Sequence, residues 1–296
     1  MSWLWAVFTV VASSGQVLRN AMQKELTTTL GTVGATHVRF LFGLPFSLVF
    51  LALVLAATRA PLPELTTVMI GWTLVAAIAQ IAGTALLLAV MQARSFVVTT
   101  AYVKTEPVQV AIFGLVFLGE PITPGLALAV LIATAGVLIV SWPRSSAAEA
   151  FSWKPALLGI GSGALFAIAA VGYRGGIRAL DTPSFVMAAT VTLVLGLVIQ
   201  TAVLTAFLAL ADRPVLAAIF RAWRPSLFAG FMGAFASQMW YLAFALETAT
   251  KVRTLALIEI LFAQIVSRNL FKQSLASREA IGIGLIILGV ALLLNA

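Results

Sequence analysis

Apolar residues dominate the chain in long runs that short polar segments separate. A transmembrane helix needs about 20 mostly apolar residues to cross about 30 Å of hydrocarbon. Ten runs of about this length cover residues 3–22, 33–57, 66–91, 95–118, 124–142, 155–178, 184–210, 226–246, 250–272 and 277–295. The pattern therefore predicts an all-α membrane protein with ten transmembrane helices.

The composition requires the same environment. Hydrophobic residues make up 61% of the 296 residues, charged residues make up only 9%, and the mean hydropathy is +1.08. A soluble domain carries about a quarter charged residues, because its surface must face water. The chain has too little charge to coat a globule of this size, so lipid must cover most of its surface.

The remaining composition excludes several classes of function. The net charge of +8 comes from basic residues scattered singly between apolar runs, without the basic stripe of a nucleic-acid-binding protein. The absence of cysteine excludes disulfides, thiol catalysis and zinc–thiolate sites, and the lone His37 cannot build a histidine metal site. No basic residue precedes the first apolar run, which therefore reads as a retained span and not as a cleaved signal peptide.

The two halves of the chain resemble each other. A shift of 153 residues places Glu106 on Glu259 and Gly136 on Gly289, and the match stays in phase for about 50 positions. The only linker-like stretch, residues 144–154, lies at the midpoint. We expect two repeats of five helices each, residues 1–146 and 154–296. Because five is odd, the second repeat must enter the membrane inverted, which is typical of secondary transporters.

The basic residues give an indication of sidedness. Segments that follow odd-numbered spans carry Arg19, Lys24, Arg39, Arg94, Arg144, Lys154, Arg213, Arg221, Arg224, Arg268, Lys272 and Arg278, whereas those that follow even-numbered spans carry Arg59, Arg174, Arg178, Lys251 and Arg253. Counted as loop charges, they place both termini outside the cytoplasm by the positive-inside rule.

Two repeat-related carboxylates are the main candidates for function. Glu106 and Glu259 each lie eleven residues into an apolar run, close to mid-bilayer at about 1.5 Å per residue. A charged side chain at that depth costs at least about 2.5–3.5 kcal/mol and tends to mark a transport pathway or a paired site. We expect them to accept a proton or a cation. The alternative is that both are structural and hold helices together.

Polar residues at helical spacing complete a candidate site. Thr99, Tyr102, Glu106, Gln109 and Phe113 share one face, and Pro107 indicates a kink or a freed carbonyl beside Glu106. A second stripe, Thr9, Ser13, Gln16, Asn20 and Gln23, either lines a cavity or bonds to other helices. The predicted substrate-binding residues are Gln16, Asn20, Arg39, Gln80, Tyr102, Lys104, Gln109, Gln238, Trp240 and Tyr241.

Three of these residues have a second interpretation. Arg39 is expected to bind a carboxylate or to pair with Glu106, or else to anchor its helix at the interface. Lys104 lies about 200° from Glu106 around the helix, so it either snorkels or pairs with another span. Trp240 either stacks on a substrate or packs. Glycine–Ser162–glycine and Gly282–Ile–glycine stretches permit close helix packing.

The sequence has no motif of a known reaction. It contains no Walker loop, dinucleotide fingerprint, metal cluster or catalytic triad. We therefore predict that the protein is not an enzyme and needs no cofactor. Uphill transport without an ATP site must draw on an ion gradient or on exchange.

The ends of the two halves carry a family resemblance. Residues 117–123 read Phe-Leu-Gly-Glu-Pro-Ile-Thr and precede a span with a late glycine, Gly136. This is similar to the Gly-Glu-Pro turn and following span of the drug/metabolite transporter superfamily, in its EamA-type branch. In the second half, Phe-Lys-Gln-Ser at residues 271–274 replaces the turn, although Gly289 keeps its place.

The resemblance implies a permease of the bacterial inner membrane that moves small metabolites such as amino acids, often outward. It also implies cytoplasmic termini, against the charge count, and the sidedness stays open. We expect a proton-coupled or exchanging transporter, monomeric or homodimeric, with its substrate between the halves. The alternatives are a broad-specificity exporter of lipophilic cations and a non-transporting membrane scaffold or sensor.

Overall fold

The computed structural model describes residues 3–93, 102–141, 153–261 and 277–296, and in these ranges the regular structure is entirely helical. The first half comprises α1 (Leu4–Leu41), α2 (Gly43–Thr58), α3 (Thr67–Ala93), α4 (Glu106–Leu118) and α5 (Pro124–Val140). The second half comprises α6 (Trp153–Arg178), α7 (Phe185–Ala211), α8 (Arg213–Arg221), α9 (Trp223–Leu246), α10 (Ala249–Leu255), a 3₁₀ turn (Ala256–Ile258) and α11 (Ser277–Leu294).

Several sequence-based expectations lie outside the described residues. They are Thr99, residues 144–152 of the predicted linker, the Phe-Lys-Gln-Ser stretch at residues 271–274, and the parts of the fourth and ninth predicted spans at residues 95–101 and 262–272.

Helix α1 contains two helical segments that meet at Gly31. This glycine has φ 66° and ψ 178°, a backbone conformation that an L side chain rarely adopts. The Gln23 side chain donates a hydrogen bond to the carbonyl of Ala35 at 3.1 Å. Because twelve residues separate these partners, the two segments must fold against each other. They correspond to the first predicted span and to the beginning of the second.

The described helices include six segments that are long and apolar enough to cross a membrane. They cover Glu25–Thr58, Thr67–Met91, Trp153–Arg178, Phe185–Ala211, Ser226–Leu246 and Ser277–Leu294, and α4 and α5 are shorter apolar helices. Large apolar side chains such as Leu53, Val116 and Ile281 are exposed on the outside, as lipid-facing positions are. The structure confirms an all-α membrane-spanning protein, and the count of ten stays a prediction.

One helix was not predicted. The short helix α8 follows α7 in a segment that the sequence analysis treated only as punctuation between spans. The Asp212 carboxylate accepts a hydrogen bond from the Val215 amide at 3.2 Å and so caps its N-terminus. Ile219 is buried whereas Arg213 and Arg221 are exposed, so α8 is amphipathic and too short to span a bilayer.

The last helices of the two halves, α5 and α11, cross at two repeat-related glycines. A Cβ atom on Gly136 would lie 2.6 Å from the Gly282 carbonyl oxygen, and one on Gly289 would lie 2.7 Å from the Ala133 nitrogen. A Cβ atom on Gly282 would lie 2.6 Å from the Val140 side chain. The order of these contacts shows that α5 and α11 run antiparallel.

Helices α3 and α6 form a second close antiparallel contact. Gly172 packs on Ala76 and Gly175 on Trp72. Further along, the Ser162 hydroxyl donates to the Gly83 carbonyl at 2.8 Å. Small residues thus allow close packing between the halves, as the sequence indicated for Ser162 and Gly282. Gly284 is different, because nothing lies within 4 Å of the Cβ position there.

The Gly-Glu-Pro turn makes a buried corner between α4 and α5. Gly119 is left-handed, with φ 63°, and the Glu120 amide donates to the Gly114 carbonyl at 3.1 Å. The helix therefore ends at a left-handed glycine, as many helices do. The buried Glu120 carboxylate forms an ion pair with Arg174 of α6. Arg174 also donates to the carbonyls of Phe244 and Glu247, so this corner links three helix ends.

Substitution of Gly289 by alanine should destabilise the protein because the added methyl group would meet the backbone of Ala133, which cannot move aside cheaply. Overpacking of this kind costs about 1–3 kcal/mol. We expect a lower midpoint of thermal unfolding in detergent for G289A. The matched substitution G284A on the same helix, where there is open space, should leave the midpoint unchanged. Equal midpoints for the two variants would contradict the close α5–α11 contact.

Substitution of Glu120 by glutamine should also lower the unfolding midpoint, because it leaves the Arg174 guanidinium buried without its counter-charge. Breaking a buried pair costs about 3–5 kcal/mol. The control is R178Q, since Arg178 reaches the same carboxylate only at 3.9 Å and its side chain is 53% exposed. An equal effect of E120Q and R178Q would show that Arg174 does not organise the corner.

Candidate functional site

A central cavity lies between the two halves. Its volume is about 120 Å³. The polar side chains that line it are Gln16, Arg19, Asn20, Arg39, Gln80, Lys104, Glu106, Tyr173, Ser237, Trp240, Tyr241, Arg253 and Glu259. They belong to α1, α3, the turn before α4, α4, α6, α9, α10 and the residues after the 3₁₀ turn. Both halves therefore contribute to one cavity.

The two repeat-related glutamates are both buried at this cavity, and each stands where an α-helix is interrupted. Glu106 is the first residue of α4, after a turn at residues 104–105. Pro107 thus occupies the first turn of a helix, where its missing N–H costs nothing, and does not kink a continuous helix. Glu259 directly follows the 3₁₀ turn. Interruptions of this kind often mark functional hinges.

The glutamates form ion pairs across the two halves. Lys104 of the first half pairs with Glu259 of the second. Arg253 of the second half pairs with Glu106 of the first, with Nε 3.0 Å from Oε1. All four side chains are at most 11% exposed. Lys104 therefore pairs with another span, which is one of the two expected outcomes, and the partner of Glu106 is Arg253 and not Arg39.

The pair of Glu106 and Arg253 is held by charge more than by a directed hydrogen bond. Although the atoms are close, neither Glu106 Oε1 nor Arg253 Nε has a hydrogen-bond partner of good geometry among the described residues. The guanidinium also lies 4.5 Å from the Trp240 ring centroid and 5.7 Å from that of Phe244. These aromatic faces attract the cation, so Trp240 packs on a protein cation.

A hydrogen-bonded network closes the cavity beside α3, α6 and α7. The Tyr173 hydroxyl donates to Gln80 Oε1 at 2.9 Å, and Gln200 donates to the same oxygen at 2.7 Å. The Tyr173 and Tyr241 rings lie 4.6 Å apart. Gln80 and Tyr241 were predicted from the sequence, whereas Tyr173 and Gln200 were not, because neither belonged to a polar stripe of its own helix.

The polar stripe of the first span divides between the two roles that the sequence left open. Gln16 and Asn20 line the cavity, and Gln16 accepts a hydrogen bond from the Trp240 indole at 3.2 Å. Thr9 and Ser13 donate instead to backbone carbonyls one turn earlier. Gln23 joins the two segments of α1, as described above. Only the middle of the stripe therefore faces the cavity.

Three predicted binding residues do not line the cavity. Tyr102 packs against Gly159 of α6. The Gln109 side chain lies at Gly163 and within 3.4 Å of Thr105. Gln238 donates to the Thr190 hydroxyl of α7 at 3.0 Å. Each of these side chains contacts a neighbouring helix in this structure, and their contact with a substrate stays a prediction.

Of the basic residues counted above as loop charges, Arg19, Arg39 and Arg253 are buried within helices, and Arg174 is partly buried within α6. Arg19 and Arg39 are 4% and 3% exposed and line the cavity. Arg253 and Arg174 are held in the ion pairs with Glu106 and Glu120. These residues carry no information on the sidedness of the protein, because they do not face a membrane surface. The signal that could have identified Arg19 is its place within an apolar run, next to the stripe.

Substitution of Lys104 by glutamine should lower the unfolding midpoint in detergent, since it leaves Glu259 buried and unpaired at a cost of about 3–5 kcal/mol. Neutralising both members of the pair should recover most of the loss, because contacting residues are not additive. The informative comparison is K104Q with K104Q/E259Q. If the double variant is as unstable as the two single losses added together, the two side chains are not paired.

Comparisons with known proteins agree with this architecture. A solved crystal structure of a protein with 13% sequence identity superposes with a TM-score of 0.72, covering 98% of this chain and 95% of the other. At that identity the similarity concerns the fold alone. No curated protein matches the sequence. The sequence profile of the EamA-like transporter family matches residues 2–142 and again residues 153–295. The chain therefore belongs to the EamA-like transporter family, a family of membrane transporters.

Proposed function

We propose that the protein is a secondary active permease that carries a small metabolite through the central cavity. The observation that supports this most strongly is the pair of ion bridges that cross the cavity from half to half. A substrate bound there touches both halves at once. A change in the charges of the bridges then changes how the two halves hold each other.

The energy for uphill movement comes from an ion gradient or from exchange, because the sequence has no nucleotide-binding loop. In this proposal Glu106 and Glu259 accept the coupling protons. Burial favours the neutral form of a carboxyl group, whereas the facing cation favours the charged form. Protonation of Glu259 releases Lys104, and protonation of Glu106 releases Arg253. Proton loading therefore loosens the contact between the halves.

The proposal includes ten spans in two inverted repeats, with the chain in the bacterial inner membrane. Two features support the repeats. Gly136 and Gly289 each pack against the opposite helix in the antiparallel contact of α5 and α11, and Glu106 and Glu259 both stand at helix interruptions. Two oppositely oriented copies of one unit can exchange conformations, which gives alternating access to the two sides of the membrane.

The charge of the cavity disfavours an exporter of lipophilic cations. Among the described residues that line it, four are cationic, Arg19, Arg39, Lys104 and Arg253, and two are carboxylates, Glu106 and Glu259. Both carboxylates are already paired with protein cations. A lipophilic cation would find an excess of like charge.

Transport should be lost when both carboxylates are made neutral. We expect purified E106Q/E259Q in proteoliposomes to show at least a tenfold lower rate of gradient-driven uptake, in assays with a panel of metabolites that includes amino acids. The physical reason is that the glutamine side chains can no longer take up or release the coupling proton.

The control is E64Q, which removes an exposed carboxylate in the segment between α2 and α3 and should transport at the wild-type rate. Folded E106Q/E259Q that retains proton-driven uptake would rule out the proton-acceptor role. Wild-type protein that neither transports nor is stabilised by any compound of the panel would instead favour the scaffold or sensor alternative.

A further inference from the structure

Two arginines in the cavity, Arg19 and Arg39, have no carboxylate partner among the described residues. Arg19 is 4% exposed, and its Nη2 atom donates a hydrogen bond to the side-chain Oδ1 of Asn20 at 2.8 Å. Its Nε and Nη1 atoms are buried without a hydrogen-bond partner among the described residues. Arg39 is 3% exposed and forms no ion pair with a carboxylate of any described residue. A buried cation without a partner is costly.

The two arginines belong to α1, and their side chains pack next to each other against α9. A Cβ atom added to Gly233 would be 3.1 Å from Arg39 Cγ and 3.7 Å from Arg19 Cδ. The stems of both side chains therefore flank the same glycine. Both residues line the central cavity and also a smaller adjoining void.

Nearby charges leave this region positive. The other charged residues that line the cavity with Arg19 and Arg39 are Lys104, Glu106, Arg253 and Glu259. Of these, Glu259 is paired with Lys104, and Arg253 is paired with Glu106. The two ion bridges therefore cancel internally, and the positive charges of Arg19 and Arg39 remain.

We propose that Arg19 and Arg39 bind the anionic group of the transported substrate, a carboxylate or a phosphate. This inference rests on the proposed function and names the substrate class of the same cavity. Guanidinium groups hold planar or tetrahedral oxyanions through two parallel N–H···O bonds. The Nε and Nη1 atoms of Arg19 have no hydrogen-bond partner among the described residues. They lie on different edges of the guanidinium group, so each can donate one N–H···O bond to an anion.

The rest of the cavity is suited to an apolar substrate body. Beside the arginines it is lined by Phe166, Leu87 and Met91, and on α9 by Trp240 and Phe244. An anion with an aromatic or aliphatic tail would place its oxygens on the arginines and its tail against these side chains. A pocket that combines charged groups with an apolar wall favours ligands of this kind.

A matched series of probes tests the charge requirement on the wild-type protein. Phenylacetate, phenylacetamide and phenethylamine share one ring and differ in charge, and phenyl phosphate and 2-oxoglutarate extend the anions. The measurements are the shift of the unfolding midpoint in detergent and counterflow in proteoliposomes. We expect at least one anion to stabilise the protein and to be transported, and the amide and the amine to do neither.

The arginine variants test the location. R19Q and R39Q should each weaken binding of that anion by at least about tenfold, since a buried charged contact is lost. R224Q, which removes an exposed arginine at the start of α9, should bind it as the wild type does. If R19Q does not fold, R39Q and the wild-type probe series still decide the matter.

The outcomes separate this inference from the proposed function. The inference is wrong if no anion of the series binds, if the amide or the amine binds and is transported as well as the anions, or if R19Q and R39Q bind the anion as tightly as the wild type. Transport of the amine would overturn the anion site while leaving a transporter. Binding of an anion without any transport would support the site and count against transport.

Discussion

Charged groups within a bilayer must find partners, and in this protein four of them find partners in the opposite half. Each half supplies one carboxylate and one cation, Glu106 with Lys104 and Glu259 with Arg253, and each cation pairs with the carboxylate of the other half. Removal of one partner leaves a charge that neither lipid nor protein can stabilise. The arrangement therefore couples the electrostatic balance of the cavity to the contact between the halves.

The remaining contacts between the halves are of a different physical kind. At α5 and α11, Gly136 and Gly289 bring the helices so close that no methyl group fits, and dense packing of this kind does not deform continuously. At the cavity, in contrast, Glu106 and Glu259 stand at helix interruptions. The chain thus combines rigid helix crossings with two sites where an α-helix is interrupted. The paired carboxylates Glu106 and Glu259 lie at these two sites.

The sequence predicted the parts of this arrangement that follow from periodicity. The 153-residue shift identified Glu106, Glu259, Gly136 and Gly289, because repeated positions in one fold meet similar constraints. The choice of partners was not predictable, since the pairing of Lys104 with Glu259 depends on how two distant segments approach. Arg19 and Arg39 were counted as loop charges, because a linear count assigns a basic residue near a helix end to water. In the structure α1 is interrupted at Gly31 and ends at Leu41. Arg19 and Arg39 therefore lie within its two helical segments and not in a loop.

The absence of cysteine allows the central claim to be tested with spin labels at introduced cysteines. Labels on the exposed positions Leu115 of α4 and Leu210 of α7 report the separation of the two halves by double electron–electron resonance. The account predicts that E106Q/E259Q, in which both carboxylates are permanently neutral, shifts or broadens the distance distribution relative to the wild type. An identical distribution in the two proteins would show that the cross-half ion pairs do not control the contact between the halves.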